Sequence, residues 1–177
     1  MVLWHRNTHT FDKDFRTVSL AFFNRYPNPY AGHVLSIDTL SQEVDSNGLL
    51  KVRRLIKKTG RLPQWVKPLL GRVSESWIVE ISEVDPHSGQ LRTYTRNLDH
   101  TKIIKVEEFT TYIYDKELGK THVSSNVKFS SDFRVGIKSR IEQWSQNKFA
   151  ENIKRSRMGM TFVMDKLEEQ YKVVKAQ

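Results

Sequence analysis

Apolar side chains first recur at helical spacing at Phe15, Val18, Phe22 and Tyr26, which predicts a helix over residues 12–26. Asp12 or Asp14 can cap its start. Tyr26 precedes Pro27, and a residue before proline is pushed out of the helical region, so the helix stops there and Asn28-Pro29 turns the chain. From about residue 33 to 131 the pattern is that of strands. Segments 34–44 and 49–58 flank Asp45-Ser46-Asn47-Gly48, a hairpin signal because Asn-Gly tolerates positive φ. Segments 76–84 and 91–98 flank a turn ending at Gly89, and 103–114 and 122–129 flank one ending at Gly119. Short connections force antiparallel neighbours. With a strand over 2–11, about seven strands form a meander. Residues 136–174 return to helical spacing, as one long helix or two with a bend near Gly159. The predicted fold is α+β: a curved seven-stranded antiparallel sheet gripping a long C-terminal helix and enclosing space beneath it.

Within the last helix, polar residues stand where apolar ones are expected. At about 100° per residue, Ile137 and Ile141 lie within about 60° of Trp144 and make an apolar stripe. The same stripe then meets Lys148 at about 40°, Asn152 at about 80° and Arg155 at about 20°. Phe149, Ile153, Met160, Val163 and Leu167 form a second apolar face to one side. Two readings compete. The helix rotates and its cations snorkel to water, or a cavity between helix and sheet is cationic at one end. A buried cation needs a partner; no acid of matching phase is evident, so a bound anion is expected to supply the charge. Arg25 poses the same choice at the end of the first helix: a cation complementing the helix dipole, or a bidentate phosphate ligand. His33, taken alone, reads as a surface or satisfied histidine.

The stretch from Lys58 to Gly71 interrupts the strands. Gly60, Pro63, Pro68 and Gly71 forbid a ladder. Leu62, Trp65, Val66, Leu69 and Leu70 make it too apolar for an ordinary loop, and Arg61, Lys67 and Arg72 intersperse cations. Such a segment either folds over the core permanently or contacts a membrane interface; a lid that covers a pocket in water and opens onto a bilayer satisfies both.

Composition narrows the partners. The chain has 177 residues, within the range of one domain (1–177), and 38% are hydrophobic, enough for a real core. Lys and Arg number 29 against 20 Asp and Glu, a net charge of +9, which favours an anionic partner. Cysteine is absent, which removes disulfides, thiol catalysis and thiolate metal sites. No apolar run reaches the ~18 residues of a spanning helix, and MVLWHRNTHTF has no apolar stretch typical of a secretory signal, so a soluble protein is expected. Gly119-Lys120-Thr121 ends like a phosphate-binding loop, but Tyr114 stands where its first glycine belongs. His5 and His9 have no evident third ligand, and Glu107 and Glu108 point to opposite faces of a strand. No metal or cofactor is expected, and catalysis is disfavoured. A nucleic-acid module, the rival reading, needs exposed aromatics on a basic face; the aromatics here mostly fall at core phases, so no nucleic-acid partner is expected.

Several ordered blocks carry a resemblance that runs nearly the whole chain. They are Phe22-Phe-Asn-Arg-Tyr-Pro-Asn-Pro-Tyr30, His33-Val-Leu-Ser-Ile-Asp38, Leu62-Pro-Gln-Trp-Val66, Tyr94-Thr-Arg-Asn-Leu-Asp-His100, Val106-Glu-Glu108, Val127-Lys-Phe-Ser130 and Arg157-Met-Gly159. The sequence resembles the PRELI-like family of mitochondrial lipid-transfer proteins, above all its fungal phosphatidic acid carrier. The resemblance implies non-catalytic transfer of phosphatidic acid between the outer and inner mitochondrial membranes, supplying cardiolipin synthesis. Transfer of another anionic phospholipid, such as phosphatidylserine, is the alternative. It implies a place in the intermembrane space, peripheral to both anionic membranes. It also implies a heterodimer with a small helical partner carrying two C-x9-C motifs. Phosphate recognition is implied for Arg25, with His33, Lys58, Lys148, Asn152 and Arg155 in or near the pocket. Arg155 and Arg61 stand where lysine is common in the family and keep the charge. Arg61, Leu62, Pro63, Trp65, Val66, Lys67 and Leu69 correspond to the family's lid and membrane contact.

Overall fold

A computed structural model describes residues 1–60, 75–132 and 138–175. In chain order the elements are β1 (Val2–Phe11), α1 (Phe15–Phe23), β2 (Val34–Val44), β3 (Leu50–Thr59), β4 (Glu75–Asp85), β5 (Gln90–Asn97), β6 (Lys105–Asp115), β7 (Lys120–Ser130) and α2 (Lys138–Lys175). The strands make one antiparallel sheet in the order β1-β7-β6-β5-β4-β3-β2. β2 to β7 therefore follow one another as the meander predicted, and β1 joins it beside β7. The expected lid, residues 61–69, lies outside the described residues.

Three hairpins share one local device. Asp45 accepts hydrogen bonds from the Asn47 and Leu49 amides, Asp85 from those of His87 and Ser88, and Asp115 from those of Glu117 and Leu118. Each turn closes on a glycine with positive φ: Gly48 at 79°, Gly89 at 67° and Gly119 at 66°. The aspartate starts the turn and the glycine reverses it, which pins the register of the strands on either side.

The first helix is shorter than the 12–26 span that its periodicity predicts. The Asp14 side chain accepts from the Thr17 amide at 2.7 Å and caps the start. Asn24 ends it, its amide nitrogen donating to the Leu20 carbonyl at 2.8 Å. An asparagine that takes up a last-turn carbonyl competes with continuation of the helix. Tyr26 therefore lies beyond the helix.

The second helix runs unbroken through Gly159. The glycine serves close approach rather than bending: a Cβ there would sit 2.9 Å from the Asn28 amide nitrogen. Asn28 in turn holds the turn after α1, donating to the Arg25 carbonyl and accepting from the Tyr30 amide. Val18, Ala21 and Phe22 of α1 pack with Met160, Val163 and Met164 of α2 and with Phe11, Leu91 and Tyr112 of the sheet. This apolar cluster fills one end of the space under the sheet and leaves the rest to a cavity.

The outer face of the sheet carries exceptions to the core placement of aromatics. Trp4 and Phe109 are 58% and 42% exposed, with ring centroids 6.4 Å apart, and Trp77 is partly exposed as well. Most described aromatics are buried or half-buried, as expected, but these rings are not. An antiparallel sheet covered on one side by a helix leaves its other face solvated, and these rings occupy that face. Phe109 also meets the Tyr94 ring at 5.0 Å, and Lys128 lies 5.7 Å over Trp4.

Candidate functional site

Strand alternation sets the inner wall. Period two places Arg54, Ile56 and Lys58 of β3 on one face, and Ile78, Glu80 and Ser82 of β4 likewise. In register Arg54 faces Glu80 across the two strands. Between this wall and α2 lies a cavity of about 300 Å3. Arg25, His33, Lys58, Lys148, Asn152 and Arg155 all line it. Residues from four separate parts of the chain, chosen on sequence, thus line one cavity. A volume of this size suits a headgroup and its glycerol; two whole acyl chains exceed it.

The inner end holds a buried charge cluster. Glu80 is 1% exposed. Its Oε1 accepts from Nε and Nη2 of Arg54, the former at 2.8 Å, and its Oε2 accepts from Nη2 of Arg25. Arg25 also donates through Nη1 to the Phe22 carbonyl at 2.7 Å, and Arg54 through Nη1 to the Phe23 carbonyl at 3.0 Å. The two guanidinium groups stack on Phe22, at 4.1 Å and 5.3 Å from its ring centre. Burial disfavours the ionised Glu80, but the two arginines override it and hold its pKa below the usual carboxylate range. Burial likewise works against the Arg25 charge, and Glu80 raises its pKa in spite of that.

Both sequence readings of Arg25 therefore have a physical basis. It satisfies a carbonyl of the last turn of α1, as a helix-end cation does, and it also faces the cavity. Neither reading named Glu80, the carboxylate that partners Arg25 in the structure. What betrays Glu80 in the sequence is its phase. It sits between Ile78 and Ser82 on the inward face of a strand, where a carboxylate is out of place unless paired. Arg54, between Val52 and Ile56, carries the same signal.

At the mouth the charges are wetter. The Lys148 ammonium lies 3.0 Å from a Glu151 oxygen, and Arg155 pairs with the other oxygen of the same carboxylate at 2.5 Å. Asn152 and Arg155 are exposed and Lys148 is half-buried. The expectation that no acid of matching phase accompanies these cations is thus overturned. Glu151 is seven residues beyond Trp144 and at i+3 from Lys148, a spacing readable in the sequence. The Lys148 hydrogen bond holds the Glu151 pKa below its ordinary value. His33 lies among these groups, its pKa lowered to about 4 by burial and by the charges of Lys58, Arg155 and Lys148. It is neutral at physiological pH.

The inner sheet face between the two ends is mixed. Ile56, Ile78, Val106, Val127 and Phe129 supply apolar surface, while Asn7, Thr93, Thr95 and Glu108 interrupt it; Trp144, Phe149 and Ile153 face it from α2. The Glu108 carboxylate accepts from the Ser125 hydroxyl at 2.8 Å. Glu107 points the other way, as strand alternation requires, and meets Tyr94 and Lys105 on the outer face. The sheet thus offers less continuous apolar surface for acyl chains than its strand composition suggests. Among the described residues no group of three or more His, Asp or Glu side chains is placed to hold a metal ion, and no helix is long and apolar enough to cross a membrane.

The chain is 60% identical over 169 residues to the Saccharomyces cerevisiae protein named Protein UPS1, mitochondrial, covering 96% of this chain and 97% of that one. It is 42% identical to the Schizosaccharomyces pombe Protein ups1 homolog, over 85% of this chain and 88% of that one. Among solved structures, that of TTHA0849 from Thermus thermophilus superposes with a TM-score of 0.61 over 92% of this chain and 97% of its own; at 13% identity this likeness speaks to the fold alone. The model of the PRELI-like family matches residues 16–170, and the chain belongs to that family.

Proposed function

We propose that the protein carries phosphatidic acid, without catalysis, between the outer and inner mitochondrial membranes. The observation that carries this reading is the meeting of Arg25, His33, Lys58, Lys148, Asn152 and Arg155 on the wall of one cavity, with Arg25 at its sealed end. A lipid phosphate enters past the mouth cations and comes to rest beside Arg25. Guanidinium donors of Arg25 beyond those engaged by Phe22, Glu80 and Tyr26 bind the phosphate oxygens. Phosphatidic acid carries a bare phosphomonoester, and a cavity of about 300 Å3 favours it over bulkier choline or ethanolamine heads. The acyl chains extend past the mixed sheet surface toward the mouth. The net charge of +9 assists docking on anionic membranes, each surface cation contributing about 1 kcal/mol near the bilayer.

The mitochondrial site of action follows the relatives, whose names place them there. Residence in the intermembrane space, supply of cardiolipin synthesis and a heterodimer with a small twin C-x9-C protein belong to the same proposal and rest on family membership. The membrane contact expected of residues 61–69 rests on their sequence.

The test is vesicle-to-vesicle transfer of labelled phosphatidic acid, with phosphatidylserine in parallel. Arg25→Ala should lose phosphatidic acid transfer while keeping its circular dichroism spectrum. Normal transfer by the folded variant refutes the phosphate assignment. Faster transfer of phosphatidylserine by the wild type refutes the headgroup assignment.

A further inference from the structure

Arg54 is buried, hydrogen-bonded at both ends, and absent from the cavity lining, whereas its partner Glu80 and the arginine beyond it both line the cavity. A residue in that place touches no cargo. Its charge still matters. Arg25 and Glu80 alone make a neutral pair, and a neutral pair offers an incoming phosphate little attraction. With Arg54 added, two guanidinium charges face one carboxylate and leave a single positive charge at the sealed end. Lys58 and Glu108, the other charged groups of the inner wall, are opposite in sign and leave this count unchanged.

Geometry directs where the excess charge appears. Arg54 engages Glu80 through Nε and Nη2 on one oxygen and is tied at Nη1 to the Phe23 carbonyl, so each of its three nitrogens is engaged away from the cavity. Arg25 spends one nitrogen on the other oxygen of Glu80 and one on the Phe22 carbonyl. Arg25 lines the cavity, as does Tyr26, which hydrogen-bonds its guanidinium, so the uncompensated charge is presented there.

Resting on the reading of the cavity as a phosphate site, we infer that Arg54 is a positioning residue that sets the affinity for anionic headgroups through Glu80. Arg54 neutralises Glu80 from behind and so frees the charge of Arg25 for the ligand. The buried triad works as a charge-setting device: affinity follows its net charge, not the number of groups that touch the lipid.

Four proteins separate this from a merely structural role: the wild type, Arg54→Met, Glu80→Gln and the double variant. Their triad charges are +1, 0, +2 and +1 by the same count. Binding of short-chain phosphatidic acid is measured by titration calorimetry at fixed ionic strength, each variant first checked by circular dichroism. Arg54→Met should bind at least about tenfold more weakly than the wild type, the scale of one unit charge removed at close range in a poorly solvated site. Adding Glu80→Gln to it should restore most of that loss, although the double variant has lost the whole buried ion-pair network. A structural role makes the opposite forecast, with the double variant as weak as Arg54→Met or weaker, and that result overturns the inference. So does unchanged affinity in Arg54→Met. Should Arg54→Met not fold, Glu80→Gln alone decides: tighter binding than the wild type supports the inference, and equal or weaker binding refutes it. Failure of the wild type itself to bind phosphatidic acid sinks the transfer reading instead, a distinct outcome.

Discussion

The two ends of the cavity carry similar residues in opposite circumstances. At the sealed end, Arg25, Arg54 and Glu80 are withdrawn from water; at the mouth, Lys148, Arg155 and Glu151 pair one carboxylate with two cations in the same ratio, but near solvent. The Arg155 side chain is 46% exposed, that of Glu80 1%. Attraction between charges scales inversely with the local dielectric, so the same triad is strongly coupled inside and weakly coupled outside. The inner triad can therefore set binding energy and fold stability. The outer one, screened by salt, can set the approach of an anionic headgroup and little else. Charge number does not separate the two sites; hydration does.

The largest effect expected from this contrast is at Glu80. Glu80→Ala leaves two buried guanidinium groups without their carboxylate, and breaking a buried pair from one side costs about 3–5 kcal/mol. Urea unfolding should show the midpoint falling accordingly. A loss no greater than that of a surface substitution would mean that water reaches the inner end and that the two triads do not differ.

A smaller effect lies between the ends, at His33. Its folded pKa of about 4 is below the 6.5 of a free histidine, so the native state favours the neutral ring. The stability this contributes is complete above pH 6.5 and is lost as pH falls toward 4. Solvent screening at this half-buried position reduces the contribution to roughly 1 kcal/mol. His33→Gln, which cannot titrate, should flatten that part of the stability profile relative to the wild type. Parallel profiles for the two proteins between pH 4 and 6.5 would place His33 in water, with no part in the boundary.

How much of the molecule is legible in the sequence follows the same division. The strands come within a residue or two of their observed limits because period-two alternation and Asp-to-Gly turns are local signals. The C-terminal helix is legible for the same reason, since Phe149, Ile153, Met160 and Val163 keep helical phase. The end of α1 is not, because Asn24 caps it before Pro27 can act. In the site, Arg25 and the helix cations stand out by their phase, His33 and Lys58 only through family resemblance. The pairing of these cations with their acids is harder to read. Glu80 meets Arg54 across 26 residues of chain, a pairing that strand register reveals, and Arg25 across 55, a pairing set by the packing of the chain after α1 against the sheet. Glu151 is within reach of the helical spacing rules, but a search for buried acids misses it because it is half in water.

The weakest expected effect sharpens the comparison most. Glu151→Gln removes the carboxylate shared by Lys148 and Arg155 at the mouth while keeping the shape of the side chain. Exposed pairs of this kind contribute about 0.2–1 kcal/mol, so the unfolding midpoint should barely move. Two cations released from their acid make the mouth more positive, and association with vesicles rich in anionic lipid should quicken at low salt. Raising the salt should erase the gain, because groups in contact with solvent are screened over about 10 Å at 0.1 M. Affinity for short-chain phosphatidic acid, set at the sealed end, should stay within about twofold, the change of a weakly coupled exposed charge. A gain in association that survives high salt would show that the mouth is as poorly hydrated as the interior. The two triads would then be one continuous charged lining, and the division between an outer group that steers and an inner group that holds would have no physical basis.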